Sequence, residues 1–445
     1  MKIVIVGAGE VGTHLAKMLS NDEHDIVLID DDEEKLRKNT ANVDLEALTG
    51  SAVSMQSLRD AGISKTDLFI AVTPLEERNI VACTLARDLG AKKTIARIDN
   101  SEYLEEENRG RLAKMGIDEL IYPENLASKE IINALKMTGV RQMLEFCGGK
   151  LVLVAIKIRA NAPMLNKPLE EITLENDEFR AIAITRKGQT IIPKGQDYIL
   201  EEDLVYFFTY RNSLPKLLKD AGKTVFEVKN VMILGGSRIG QKAALLMEER
   251  GYNVKIIEID KPRSLKIADK LRKSIVIQGD GRNLDLLKEI GIQNMDAFVA
   301  VTGNSETNIL SCHLAKKMGV KRTVAEVENT DYMRLADEIG IGSLINKKLL
   351  AASYIYRFTM EAEVSQTQCL TSTDAEVLEF VAAPNSQITR KPIRSIYFPE
   401  EAKIGGIIRG ESVLIAKGET QVMPGDRVVV FSLPSVVKKL EVYFK

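Results

Sequence analysis

A glycine motif behind a short apolar strand occurs twice in this chain, and that repetition constrains the fold more than any other feature. Gly7-Ala8-Gly9-Glu10-Val11-Gly12 follows Ile3-Val4-Ile5-Val6, and Gly235-Gly236-Ser237-Arg238-Ile239-Gly240 follows Val231-Met232-Ile233-Leu234. At the same spacing Asp30 falls under Glu258. After a one-residue slip, Ala71-Val72-Thr73 falls under Ala300-Val301-Thr302, Asn79 under Asn308, Cys83 under Cys312 and Tyr103 under Tyr332. A single G-x-G-x-x-G is weak evidence, but two in register inside a long repeat imply that a whole domain was duplicated.

The segments around each motif read as a parallel α/β sheet. Lys2–Val6, Asp25–Ile29, Leu45–Leu48, Asp67–Val72, Lys93–Ile98 and Glu119–Tyr122 are short, rich in Ile, Val and Leu, and separated by helical patterns. Strands buried on both faces have this composition, because helices cover each side of the sheet. A helical connector is expected after each unit, over Leu126–Glu145 and Leu349–Glu363. Turn-rich β sequence follows it, with Arg186-Lys187-Gly188 echoed by Arg409-Gly410 and Asp203 by Asp426. The expected fold class is α/β: two doubly wound, Rossmann-like parallel-sheet domains, each followed by a small β-rich α+β domain. The boundaries expected are 1–125, a connector 126–148, 149–222, 229–348, a connector 349–373, and 374–445.

At 445 residues the chain exceeds one core and suits several domains. A net charge of −2 offers no basic field for nucleic acid. No apolar run is long enough to cross a bilayer, and the first strand starts at Lys2, so a cytoplasmic protein is expected. Cys83, Cys147, Cys312 and Cys369 have no metal-type spacing and read as reduced, mostly interior residues.

The first motif has the chemistry of a dinucleotide site. A pyrophosphate needs backbone N–H donors at close range. Gly7 permits the turn, Gly9 removes a side chain where phosphates approach, and Gly12 lets the helix pack closely. Ala8, Glu10 and Val11 complete the loop, and the helix start adds its dipole. Asp30 stands where an acid reads the adenine-side ribose, and the acids Asp31, Asp32, Glu33 and Glu34 beside it disfavour a 2′-phosphate. NAD(H) is therefore the expected ligand of the first half. Asp30→Ala is expected to weaken its binding without touching the core. Thr73 and Asn79 close the crevice side of the sheet; Thr73 either touches the ligand or caps the following helix. Arg97 is expected to meet either a phosphate or a carboxylate.

In the second half Gly235, Ser237, Arg238, Ile239, Glu258 and Thr302 occupy the corresponding positions. Ser237 restricts the backbone approach, and Arg238 favours a more negative ligand, so NAD(H) and ATP or ADP both stay open there.

The whole arrangement resembles the tandem regulator-of-potassium-conductance (RCK) family of Trk-type potassium uptake. The duplicated motif, the Ala-Val-Thr…Asn segments, Ala96-Arg97-Ile98 before Asp99, and the β-rich domain after each half carry the likeness. The resemblance implies a nucleotide-sensing regulatory subunit rather than an enzyme. It also implies a homo-oligomer, a homotetrameric ring, on the cytoplasmic face of a membrane potassium transporter subunit. Glu326 and Glu328, two apart on an expected strand, and Asp280 match acids of calcium-gated relatives in the wider family. They could bind Ca²⁺ through oxygen, or else be solvated or face nucleotide. The alternative is an NAD-dependent oxidoreductase, which needs an acid or base at the nicotinamide. Of His14, His24 and His313, none is placed for that role by its position in the sequence.

Overall fold

The computed structural model describes residues 1–20, 24–41, 43–175, 177–359, 364–370, 373 and 375–445. The side chains of Glu10, Leu174, Glu175, Thr330, Asp331 and residues 364–369 lie outside that description. The chain forms two compact units: Met1–Leu126 with Lys347–Glu361, and Ala127–Asn346 with Ala362–Lys445.

The first unit is built from Lys2–Val6 (β1), Glu10–Ser20 (α1), Asp25–Asp30 (β2), Glu33–Thr40 (α2), Glu46–Thr49 (β3), Met55–Asp60 (α3), Leu68–Ala71 (β4), Glu76–Asp88 (α4), Lys93–Arg97 (β5), Glu106–Lys114 (α5), Glu119–Ile121 (β6) and the first turn of Pro123–Lys136 (α6). Its six strands run parallel in the order β3-β2-β1-β4-β5-β6. The order reverses direction at β1/β4, which opens a crevice at the carboxyl ends of those strands. Val4, Val27, Phe69 and Ala96 are buried within this sheet's core. The β1 and β4 residues point alternately into the two helical layers, so both faces must be apolar.

The second unit contains the rest of α6 and a small sheet. Gln142–Phe146 (β7), Leu151–Lys157 (β8), Leu169–Glu175 (α7), Phe179–Arg186 (β9), Gln189–Ile191 (β10), Leu204–Tyr210 (β11) and Leu214–Asp220 (α8) give an antiparallel order β10-β9-β11-β8-β7. The repeat then follows: Asn230–Leu234 (β12), Arg238–Glu249 (α9), Asn253–Glu258 (β13), Lys261–Lys270 (α10), Ile275–Gln278 (β14), Leu284–Glu289 (α11), Ala297–Ala300 (β15), Ser305–Lys317 (α12), Arg322–Glu326 (β16), Thr330–Glu338 (α13) and Ser343–Ile345 (β17). Its sheet, β14-β13-β12-β15-β16-β17, has the topology of the first. After Lys347–Tyr356 (α14), the strands Val364–Cys369 (β18), Glu376–Val381 (β19), Ala402–Arg409 (β20), Ser412–Ile415 (β21) and Arg427–Ser432 (β22) and the helix Val437–Phe444 (α15) repeat the small domain. Read from the other edge, β21-β20-β22-β19-β18 is the order of the first small sheet.

The connectors differ from expectation. Gln142–Phe146, placed in the first connector by its sequence, is strand β7, paired with β8 through a hairpin. Cys147, Gly148 and Gly149 all have positive φ (50°, 62° and 85°), the backbone that such a turn demands. The Gly148-Gly149 pair was the signal for it. The second connector likewise holds β18, while residues 360–363 and 371–372 of that expected segment lie outside the described residues. The connector helices also trade partners. α14 follows the second large domain in sequence but packs on α1 of the first. α6 beyond Leu126 belongs with the second large domain, where Ile131, Ile132 and Leu135 are buried. The guanidinium of Arg322, only 4% exposed, donates to the carbonyls of Ala134 (3.0 Å) and Val140 (2.9 Å) and to Ser343 Oγ (2.9 Å).

The two small domains share one core. Phe146, Leu153, Tyr206 and Phe208 from the first meet Leu370, Val377, Val429 and Phe431 from the second. A Cβ at Gly405 would sit 1.9 Å from the Phe208 ring, so only glycine admits that ring. Within each small domain the repeated Arg and Asp form a two-point ion pair in which the carboxylate is buried and the guanidinium partly exposed. Arg186 binds Asp203 through Nε and Nη2 (2.8 Å each), and Arg409 binds Asp426 (2.9 and 2.7 Å). Both aspartates are at most 2% exposed, and each ties the strand it precedes (β11, β22) to the end of the strand beside it.

On α6, burial pushes the Glu130 carboxyl up to about 7, partly offset by a hydrogen bond from Asn133 and reinforced by Glu145. A carboxyl that holds its proton more tightly folded than unfolded stabilises below its unfolded pKa of 4.5 and loses that contribution as pH rises through 7. Glu130→Gln should therefore raise the melting temperature at pH 8, by an effect on the order of 1–3 kcal/mol, and change little at pH 5. Paired melts of the two chains across that range check it; equal curves at both pH values would refute the assignment.

Candidate functional site

The first glycine loop leaves β1 with Gly7 at φ 105° and enters α1 at Glu10. A Cβ on Gly7 would press on the backbone of Thr73 at 3.0 Å, and one on Gly12 would lie 1.9 Å from the Gly7 carbonyl oxygen. Gly9 is different: an added Cβ there meets nothing within 4 Å. The loop is thus packed from below and open above Gly9, where a flat anionic group would rest against the backbone. The first amides of a helix lack intrahelical acceptors and supply donors at that opening. Ala8 (0% exposed) and Val11 (5%) offer backbone only. The Glu10 side chain lies outside the described residues.

Beside the loop lies a cleft of about 340 Å³ lined by Gly7, Ile29, Asp30, Asp31, Lys35, Ala52, Thr73, Pro74, Leu75 and Arg78. Asp30, 7% exposed, is more deeply engaged than its position at a strand end suggested. Its Oδ2 accepts from the Ala8 amide (2.6 Å) and Lys35 Nζ (2.7 Å), and its Oδ1 from the Asp32 amide (3.1 Å). Burial pushes its pKa up, but Lys35 and the Asp32 and Ala8 amides outweigh that and hold it below the usual carboxylate value. The expectation that Asp30→Ala would spare the protein core is corrected accordingly: alanine would strand the buried Ala8 N–H. With three acceptor positions taken, both ribose hydroxyls fit only if Lys35 swings away.

Lys35 and Arg78 were missed in the sequence. Arg78 pairs with Asp31 at 3.0 Å, and Asp32 spends a carboxylate oxygen as N-cap of α2. Two of the four acids expected to repel a 2′-phosphate are therefore engaged, Asp31 by Arg78 and Asp32 by the start of α2. Lys35 sits one turn into the helix after the ribose acid, a position shared by Arg263 in the second half, and that shared cation was the available signal.

Thr73 and Asn79 resolve differently. Asn79 is fully buried; its Oδ1 accepts from Thr73 N (2.9 Å) and Oγ1 (2.7 Å), and its Nδ2 donates to the carbonyls of Thr73 (3.0 Å) and Arg97 (2.9 Å). Every polar position of that amide has a protein partner, so Asn79 positions Thr73 and joins β4 to β5 instead of reaching a ligand. Thr73 lines the cleft. Arg97 pairs with Glu124 at 3.0 Å, on the first turn of α6.

The second loop repeats this wiring with one change. Gly235 has φ 107°, the Gly236 amide donates to Glu258 Oε2 (2.8 Å), and Asn308 clamps Thr302 as Asn79 clamps Thr73. Ile239 is buried and Arg238 exposed. Ser237, in place of Gly9, caps α9: its Oγ accepts from the Gly240 amide (3.3 Å) and donates to the Val301 carbonyl (2.7 Å). A side chain therefore stands where the first loop is open. Of the two readings of the three acids, the cation cage is the one the structure does not form. Strand β16 ends at Glu326, so Glu328 lies beyond it, and the Asp280 carboxylate is held by both Nε and Nη2 of Arg282. Among the described residues, no group of three His, Cys, Asp or Glu side chains is arranged to hold a metal.

Residues 3–123 and 231–347 each match the TrkA-N domain family, and residues 153–222 and 377–445 the TrkA-C domain family. The chain belongs to the TrkA family. A Trk system potassium uptake protein TrkA homolog of Methanosarcina mazei is 33% identical over the whole of both chains. TrkA of Vibrio alginolyticus is 32% identical over 97% of this chain and 95% of its own. Among solved structures, the GsuK RCK domain superposes with a TM-score of 0.63 at 16% identity, covering 99% of this chain and 94% of that one. The GsuK channel bound to NAD gives 0.62 at 15% identity, covering 99% and 78%. This likeness shows the RCK fold. The TrkA family is one of regulatory subunits of potassium uptake, not of enzymes. His14 lies on α1, the helix that packs against α14, near Lys348. No helix among the described residues is long and apolar enough to cross a membrane.

Proposed function

We propose that this TrkA-family chain is a nucleotide-sensing subunit that binds the cytoplasmic face of a Trk-type membrane potassium transporter and gates ion flux. NAD(H) binds the first cleft, through Gly7, Ala8, Gly9, Glu10, Val11 and Gly12 and the carboxylate of Asp30. NAD(H) or ATP/ADP binds the second. The NAD- and ADP-bound forms of GsuK support both ligand classes for this fold.

One observation carries the switch. Arg97, at the end of β5 beside the cleft's threonine clamp, is paired with Glu124 on the first turn of α6. The far end of that helix is held by Arg322 of the second large domain. A phosphate that competes for Arg97 releases Glu124 and changes how α6 is held. Ligand then favours one arrangement of a homotetrameric ring through differential affinity, the only way a ligand can shift such an equilibrium.

Hydrogen exchange of the full chain with and without NADH tests this. Slower exchange is expected in the Gly7–Gly12 loop together with altered protection along α6. Protection confined to the loop would refute the switch, and a stable monomer by light scattering of the same samples would refute the ring.

A further inference from the structure

Five cations gather in the second unit at the edge of the second large sheet where its strands begin, away from the glycine loop at their carboxyl ends. Arg141 precedes β7, Lys157 ends β8 with Arg159 two residues beyond it, Lys223 follows α8, and Lys316 is in the last turn of α12. Among the described residues, two carboxylates serve them. Asp337 is shared by Arg141 (3.5 Å) and Lys157 (3.8 Å), and Glu202 by Lys157 (3.2 Å) and Arg159 (3.2 Å). Lys316 Nζ donates to the Gly340 carbonyl (2.9 Å). Among the described residues, no carboxylate pairs with Lys223 or Lys316. The buried Arg322 guanidinium stands behind Arg141 and adds a further positive charge, its partners among the described residues all being neutral.

Unbalanced cations in partly buried positions are costly unless an anion joins them. The Arg141 and Lys157 side chains are only 13% and 15% exposed, whereas Arg159 is about half exposed, so the cluster has an interior wall and an open mouth. Burial first, then Arg159 and Arg141, pushes the Lys223 ammonium down to about 8. A bound anion would reverse that.

We propose that Arg141, Lys157, Arg159, Lys223 and Lys316 form a site for a small phosphate-bearing anion, separate from both glycine loops. Two phosphates suit it better than one, because the cations come from four segments of chain around two shared acids. The phosphate can be inorganic or the tail of a nucleotide, and the test separates these sources.

Calorimetric titration of the full chain with inorganic pyrophosphate, in the presence of saturating NADH, reads the site directly. Lys223→Gln and Arg159→Gln should each weaken pyrophosphate at least tenfold with an unchanged far-ultraviolet spectrum. At pH 8, titrations in buffers of different ionisation enthalpy should show the parent taking up more protons, or releasing fewer, than Lys223→Gln, the difference being the proton that Lys223 gains. Displacement of pyrophosphate by ADP under the same conditions would assign the site to a nucleotide tail; no displacement would assign it to free phosphate. Pyrophosphate binding that is unchanged in both variants, or absent, overturns the proposal.

Discussion

Asp30→Asn should lower the affinity of the first cleft for NADH on the order of tenfold to a hundredfold while leaving the fold in place. Asparagine keeps a side-chain oxygen for the Ala8 amide, which Asp30 now holds at 2.6 Å, so the glycine loop stays tied to β2. What it loses is the negative charge that accepts from ribose hydroxyls. Charge-assisted hydrogen bonds are worth about 1.5–3 kcal/mol each, which sets the range. It also releases Lys35, bonded to Asp30 at 2.7 Å, so part of the loss is offset if that ammonium finds a phosphate. Asp30→Ala should lower both affinity and melting temperature, because the Ala8 N–H is left buried without an acceptor. Glu258→Gln, the matching change in the second half, should leave the first cleft's affinity alone. Calorimetry on the three chains separates these effects. Unchanged NADH affinity in Asp30→Asn would remove the nucleotide from this cleft.

Replacing Arg322 by methionine should destabilise the second unit by about 2–4 kcal/mol. The substitution deletes three donors at once, leaving the carbonyls of Ala134 and Val140 and the hydroxyl of Ser343 without them. Each buried acceptor left unsatisfied costs about 1–3 kcal/mol. Against that, burial and the neighbouring Arg141 already push the Arg322 pKa down, so removing the charge relieves some strain. The net sign is still destabilising, because the Ala134 carbonyl lies in the last turn of α6, where the helix dipole favours a cation. The measurement is the melting transition of the full chain, together with protease sensitivity around Lys136–Arg141. A transition within experimental error of the parent would show that α6 is held by its apolar face alone.

Much of the large domains was legible because their periodicity is local. The buried strands, the glycine at each left-handed turn and the acid at the end of β2 and β13 are all determined by neighbours a few residues away. The same holds for Ser237 as a side chain in place of an open glycine. What was not legible depends on distant partners. β7 looked like the tail of a helical connector, since five residues with two apolar neighbours suit either reading until β8 pairs with them. Asn79 looked like a ligand residue because it lies just past Thr73 on the crevice side of the sheet; only the fold shows its amide fully spent on Thr73 and Arg97. The acids Asp280, Glu326 and Glu328 looked convergent on strand alternation, until β16 proved to end before Glu328 and Arg282 to hold Asp280.

By itself the sequence determined that one module occurs twice, that each copy is a parallel sheet with a phosphate-type loop, and that the first loop is the more open. The glycines carry this: a positive φ at Gly7 and a Cβ clash at Gly12 make any other residue type strained, and Ser237 brings a side chain where Gly9 has none. Tertiary structure alone decided which connector helix packs on which domain, that the two small domains share one core through Gly405 and Phe208, and that cations from four separate segments meet beside Asp337 and Glu202. The reason is that a hydrophobic stripe or a charge specifies what it must be buried or paired with in kind. Which of two near-identical surfaces supplies the partner is settled only when the whole chain has closed.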